Sequence, residues 1–218
     1  MTEHHIPARV LSAVQGDLQP VRPFASPGRR TLALLPVAIV LFLGMPAYWG
    51  WQTHAQLAPW PSWGWSAVES VLGLVMLAAG FREAIPGREL SAKTLTALTL
   101  VACAGFVLIN ATSYLPPPVP IETRLRWLRE CISLALLFSI PALLPPAWLV
   151  SRALPNRPAL TGALCGLGVG LMADAGLRLC CWDGGFSHIA FAHGGAVLLL
   201  TALAALGATF VERLKAGR

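Results

Sequence analysis

Charge is scarce in this chain. Asp, Glu, Lys and Arg make up 12% of its 218 residues, about half the roughly 25% of a soluble domain. That shortage excludes an ordinary water-facing surface. Catalytic signatures are absent too: there is no nucleotide-binding glycine loop, no HExxH and no Cys-x-x-Cys pair, and Ser, His and Asp fall in no catalytic arrangement. Nucleotide hydrolysis, zinc peptidase chemistry and dithiol exchange lose their usual carriers. The expectation is a protein that is not an enzyme and uses no cofactor. A signal peptide, with its short basic start and cleavage site, is not seen at the N-terminus, so the leader is expected to be retained.

Apolar residues are abundant, at 56%. Several runs approach the ~20 residues that cross a hydrocarbon core of about 30 Å. The fold class expected is all-α: a polytopic bundle of six transmembrane helices with a short cytosolic N-terminal amphipathic helix. Spans are placed at 31–49, 64–81, 94–113, 131–150, 159–179 and 187–211. The domains are a leader (1–30), the six-helix unit (31–211) and a tail (212–218). Pro36 and Pro46 fall in the first span and Pro141, Pro145 and Pro146 in the fourth, as membrane helices tolerate. The net charge of +6 does not indicate nucleic acid, because the basic residues sit at the ends of apolar runs. The lipid bilayer is the expected surrounding, with no direct nucleic-acid contact.

Those basic residues orient the bundle. Twelve of the sixteen Lys and Arg lie in the leader, the loops after spans two and four, and the tail. The other four, Arg124, Arg126, Arg129 and Arg178, lie on the opposite side. The positive-inside rule makes the first side cytosolic, with both termini inside. WGWQTHAQLAPWPSWGW (49–65), holding Trp49, Trp51, Trp60, Trp63 and Trp65, then reads as an external interfacial belt. YLPPPVP (114–120) reads as a stiff extended connector.

In the leader, Val10, Leu11, Val14 and Leu18 recur at helical spacing, which predicts an amphipathic helix over 7–18. Twelve residues are marginal for an isolated helix in water, so it needs a surface: its own spans, the lipid face, or a groove on a cytosolic partner. Burying four aliphatic side chains contributes about 6–12 kcal/mol gross, against about 4–15 kcal/mol for association. The helix alone therefore secures no complex. The stretch after it, DLQPVRPFASPGRR (17–30), has three prolines, Pro20, Pro23 and Pro27, and stays extended. A pre-stiffened chain loses little entropy on docking.

Five cysteines remain. Cys103 and Cys165 lie inside spans and read as small buried apolar residues. Cys131 enters span four, and Cys180 and Cys181 leave span five, all at the external face in this topology. That side is where disulfides persist. Arg126, Arg129 and Arg178 share it, and nearby cations favour thiolate. Asp183, His188 and His193 also lie near in sequence, so a thiolate–imidazole metal site is open, although its spacing matches no zinc-finger pattern. Reactive sensing and inert structure remain alternatives on these residues. Glu69 and Asp174 are intramembrane carboxylates, which call for either a packing or an ion-path explanation. Asp174 sits in ALCGLGVGLMADAG, whose small residues allow close helix packing.

DLQPVRPF in the leader, CISLALLFSIPALL in span four, PALTGALCGLGVGL in span five and FAHGGAVLLLTALAALGA in span six together resemble the NrsF-like family. These are six-span bacterial inner-membrane anti-sigma factors for extracytoplasmic-function sigma factors. The resemblance implies that the leader binds the sigma factor, through Val10, Leu11, Val14, Asp17, Leu18, Pro20, Val21, Arg22 and Pro23. It also implies that Cys131 and Cys181 match the family's two cysteines, with Cys180 as an added third external thiol. Where the family carries His and Pro around the second cysteine, this chain has Cys180 and Trp182. The resulting expectation is a membrane anti-sigma factor regulated by oxidant or thiophilic metal. The competing reading is a small transporter or channel using Glu69 or Asp174.

Overall fold

The computed structural model describes residues 7–17, 25–51, 63–111 and 120–217. Among them every regular element is helical. Helix α1 spans Ala8–Asp17 and α2 spans Pro27–Leu32. The six expected spans correspond to α3 (Leu35–Trp49), α4 (Trp65–Glu83), α5 (Ala92–Ala111), α6 (Ile121–Ser151), α7 (Pro158–Arg178) and α8 (Phe186–Ala216).

Five of these, α4 to α8, are long and apolar enough to cross a membrane, and the chain is a membrane protein. The first run differs from expectation because it is broken. Its residues form α2, a turn at 33–34, and α3, whose middle, Val40–Gly44, is a π-helical segment. The prolines explain both features. Pro36 opens α3, where its missing N–H costs nothing. Pro46 has no N–H to offer and its ring crowds the carbonyl four residues back, at Phe42. The wider π turn lies over that carbonyl.

Helix α6 also departs from expectation. It begins ten residues before the expected span and runs for 31 residues through Pro141, Pro145 and Pro146. At 1.5 Å per residue it is roughly 46 Å long, so its charged start reaches beyond a hydrocarbon core.

Helix α7 is the centre. Its apolar window is 83% buried, against 44% or less for every other candidate span. It packs chiefly on α4 and α8, and also on α6 and the π segment of α3. Small residues make this position reachable. A Cβ on Gly168 would lie 2.6 Å from the Gly73 carbonyl oxygen of α4, and one on Gly166 2.6 Å from that of Leu200 on α8. A Cβ on Gly176 would collide with the Leu41 carbonyl of α3. Backbones can approach this closely only where no side chain intervenes.

At the Pro158 end, the loops after α4 and α6 are clasped. Glu83, fully buried, forms an ion pair with Arg157 at 2.6 Å, and Asn156 donates to Glu89 at 2.7 Å.

Candidate functional site

At the Arg178 end of α7 the chain places its polar side chains together. Helix α7 stops at Arg178, and the following turn carries Cys180 and Cys181. The Cys181 thiol lies 3.5 Å from that of Cys131, which α6 supplies. It also lies 3.1 Å from His188 Nε2 at the start of α8. The ligand atoms of Cys131, Cys181 and His188 all fall within 4.8 Å of one another. Asp183 completes the loop: its carboxylate accepts from the Gly185 N–H at 2.8 Å and stands 3.8 Å from His188 Nδ1.

A second π segment, Ile189–Gly194, shapes this site. On an α-helix, residues five apart point about 140° from each other. A π turn bonds i to i+5 and brings such residues over one another. His188 and His193 are five apart, and their rings meet edge-to-face at 5.5 Å.

His193 links the thiols to the intramembrane carboxylates. Its Nδ1 is 2.6 Å from Asp174 on α7. The other Asp174 oxygen accepts from Asn110 of α5 at 3.3 Å. Arg178 in turn donates to Asn110 Oδ1 at 3.2 Å and to the Ile109 carbonyl at 2.8 Å. Glu69 of α4 is buried beside this network, with Asp174 and Arg178 acting on its charge. Neither Glu69 oxygen makes a hydrogen bond among the described residues. Asp174 is thus engaged in structural hydrogen bonds, as the packing explanation for an intramembrane carboxylate expects.

The three candidate thiols separate. Cys131 and Cys181 meet. Cys180, next in sequence, turns its sulfur back toward the Leu177 and Gly176 carbonyls, at 3.3 and 3.7 Å, within the apolar core. Burial pushes the Cys180 thiol up to about 12. Cys181 is held well below the usual thiol range, first by the hydrogen bond from Cys131 and further by His188 and His193, against the effect of burial. Two adjacent cysteines therefore have opposite chemistry.

Of the leader, α1 forms over nearly the expected range, and Val10 and Val14 lie exposed, at 51% and 54%. The side chains of Leu11 and Asp17, and all of Leu18, Pro20, Val21, Arg22 and Pro23, lie outside the described residues. So do Trp60 and residues 112–119 of the connector. Trp51 and Trp63 stack at 5.0 Å between ring centroids.

Sequence reasoning singled out His193 and Asp174 separately and missed their union. It missed Asn110 altogether. An amide in the apolar run VLIN carried the available signal, since a polar group inside a span needs a partner there.

These features define a class: an all-helical membrane protein whose interior polar network ends in a thiol–imidazole cluster. The family model described as NrsF, negative regulator of sigma F, matches residues 15–214, nearly the whole chain. The chain belongs to this family, and is a negative regulator of a sigma factor, its partner. No curated protein and no solved structure matches it.

Proposed function

We propose that this chain is a bacterial inner-membrane anti-sigma factor that holds an extracytoplasmic-function sigma factor on its cytosolic leader. Cys131 and Cys181, on the opposite face, govern release in response to oxidant or thiophilic metal. The carrying observation is the meeting of these thiols, fifty residues apart in sequence, at 3.5 Å within a family of sigma-factor regulators. The twelve-to-four distribution of basic residues supports cytosolic termini. The leader reading draws support from α1, whose Val10 and Val14 face outward uncovered, and from the family match beginning at residue 15.

Either signal would tie α6 to the end of α7. An oxidant takes two electrons from the pair and the two thiol protons leave, closing an S–S bond of about 2.05 Å. A soft cation displaces the same two protons and is held by the thiolates. Moving a sigma factor from mostly held to mostly released takes about 5.5 kcal/mol of differential interaction. A disulfide typically contributes 2–4 kcal/mol, so oxidation alone shifts the balance partway. Metal capture by several donors can supply more.

The test measures sigma-dependent transcription with and without oxidant or metal, with membrane abundance as control. Deleting residues 1–24 should give full transcription without any stimulus. Cys131→Ser with Cys181→Ser should keep basal repression and abolish the response. Repression that survives the deletion, or a normal response in the double variant, would sink the corresponding half of the reading.

A further inference from the structure

We propose that His188 and His193 complete the thiol pair into a four-donor site for one soft d10 cation, with His193 as a ligand oriented by Asp174. The inference rests on the sensing role proposed for Cys131 and Cys181 and names what that site takes.

The spacing of the donors is the first argument. Tetrahedral coordination with bonds of about 2.0–2.3 Å sets donor atoms roughly 3.3–3.8 Å apart. Cys131 Sγ and Cys181 Sγ are 3.5 Å apart, and His188 Nε2 is 3.1 Å from Cys181 Sγ. These groups therefore already stand near the edges of a coordination tetrahedron, contributed by three separate pieces of chain.

The fourth vertex needs a donor that is nearby, oriented and otherwise unused. His193 stands just outside the three-residue group, its ring 5.5 Å from that of His188, and it is oriented and otherwise unused. Its Nδ1 is engaged by the Asp174 carboxylate at 2.6 Å, so in the neutral ring the proton sits on that nitrogen and Nε2 is left to present its lone pair to a cation. The side chain is 2% exposed, and Nε2 has no hydrogen-bond partner among the described residues. An imidazole nitrogen buried without a partner costs free energy unless something is meant to meet it. The ring lies edge-to-face against that of His188. A carboxylate bonded to the non-ligating nitrogen is the usual support for a metal-binding histidine.

The chemistry of the set selects its cation. Two thiolates and two imidazoles suit a soft or borderline d10 ion, such as cadmium, zinc or cuprous copper, and disfavour magnesium or calcium. Binding releases the protons of Cys131 and Cys181, replacing two S–H bonds by two metal–sulfur bonds without any redox change. The loaded site would join α6, the end of α7 and both histidines of α8. Through Asp174 and Asn110 it would also reach α5.

The test uses the full chain in detergent micelles and Cd2+ alone as probe. Thiolate-to-cadmium charge-transfer absorption reads affinity, and the cadmium NMR shift reads donor type. The wild type should bind one ion with a mixed sulfur–nitrogen signature. Both His193→Ala and Asp174→Asn should weaken binding about 10–100-fold. His193→Cys should restore it with a third thiolate visible, an outcome that a merely structural histidine would not produce. Unchanged affinity and donor signature in both His193→Ala and Asp174→Asn would overturn the proposal. So would a loss in His193→Ala that His193→Cys fails to repair. Sigma-dependent transcription under cadmium separates the two readings: binding as described without any transcriptional response would refute sensing while leaving the ligand assignment intact.

Discussion

Over its Pro158 half the body of α7 is held by closeness, with the polar clasp there confined to the flanking loops. Gly162 and Gly166 lie against the backbone of α8 at Ala204 and Leu200, and Gly80 of α4 meets Cys165. At its Arg178 end the same helix still meets α3 closely at Gly176, but it and the turn after it add polar contacts to three helices: Asp174 to His193, Arg178 to Asn110 and Ile109, Cys181 to Cys131 and His188. The first kind of contact admits one arrangement, because close-packed backbones cannot slide without creating voids. The second contains groups that can change partner, among them two thiols and an imidazole nitrogen with none. The proposed sensing role requires an element with two arrangements, and the polar end has the chemistry for it.

The largest expected effect comes from the close-packed end. In Gly166→Leu the new side chain must enter the space already filled by the Leu200 carbonyl, Thr201 and Ala204. Overpacking a well-filled core costs typically 1–3 kcal/mol and occasionally more, and here the obstruction is backbone, which yields least. The amount of folded, monodisperse protein recovered from membranes should fall severely. Near-normal recovery would mean that this end is looser than its geometry shows, and would erase the contrast.

A smaller effect is expected at the polar end. Asn110→Ala removes the amide that joins Asp174 to Arg178. Each loses one of several partners, and a buried polar group left short costs about 1–3 kcal/mol. Asn110→Ala should fold and accumulate, yet unfold at a lower temperature in detergent than the wild type. A loss of folded protein as complete as that of Gly166→Leu would show the network to be as indispensable as the packing.

How far this contrast was readable from residues alone depends on range. The helical class and the approximate spans followed from apolar runs, and the amphipathic stripe of α1 from its spacing. The close-packed end was half legible, because ALCGLGVGLMADAG advertises small residues without saying what they meet. Helix α6 begins earlier than expected because charge signals the edge of the hydrocarbon, not the end of a helix, and RLRWLRE continues the helix beyond it. The polar end was the least legible. The Asp174–His193 contact spans 19 residues and the Asn110–Asp174 contact 64. Both depend on how neighbouring helices are rotated and, for His193, on a π turn. No periodicity in one segment encodes the rotation of another.

The smallest effect tests the contrast at its finest grain, between neighbours. Cys180 belongs to the packed side of the boundary: the residue is 1% exposed and its sulfur sits over the last turn of α7. Cys181 belongs to the polar side. Cys180→Ala removes one polarizable atom from an apolar setting, and a change of about 1 kcal/mol or less in stability is expected, with the oxidant or metal response intact. Reactivity should separate the two more sharply than stability does. The nucleophile is the thiolate. Burial pushes Cys180 up to about 12, so near neutral pH it is almost wholly protonated, and its reactivity rises only as the pH climbs toward that value. Cys181 is held well below the ordinary thiol range by the Cys131 hydrogen bond first and the two histidines after it, so at any given pH a larger share of it than of Cys180 is thiolate. Brief exposure to hydrogen peroxide or a small methanethiosulfonate, followed by peptide mass spectrometry, should therefore mark Cys181 ahead of Cys180. Raising the pH should narrow the gap, and Cys131→Ser, which weakens the first support of the thiolate, should slow modification at Cys181. Faster modification of Cys180 than of Cys181 at neutral pH would place the reactive thiol in the packed core, and the division between the two ends of α7 would have to be redrawn.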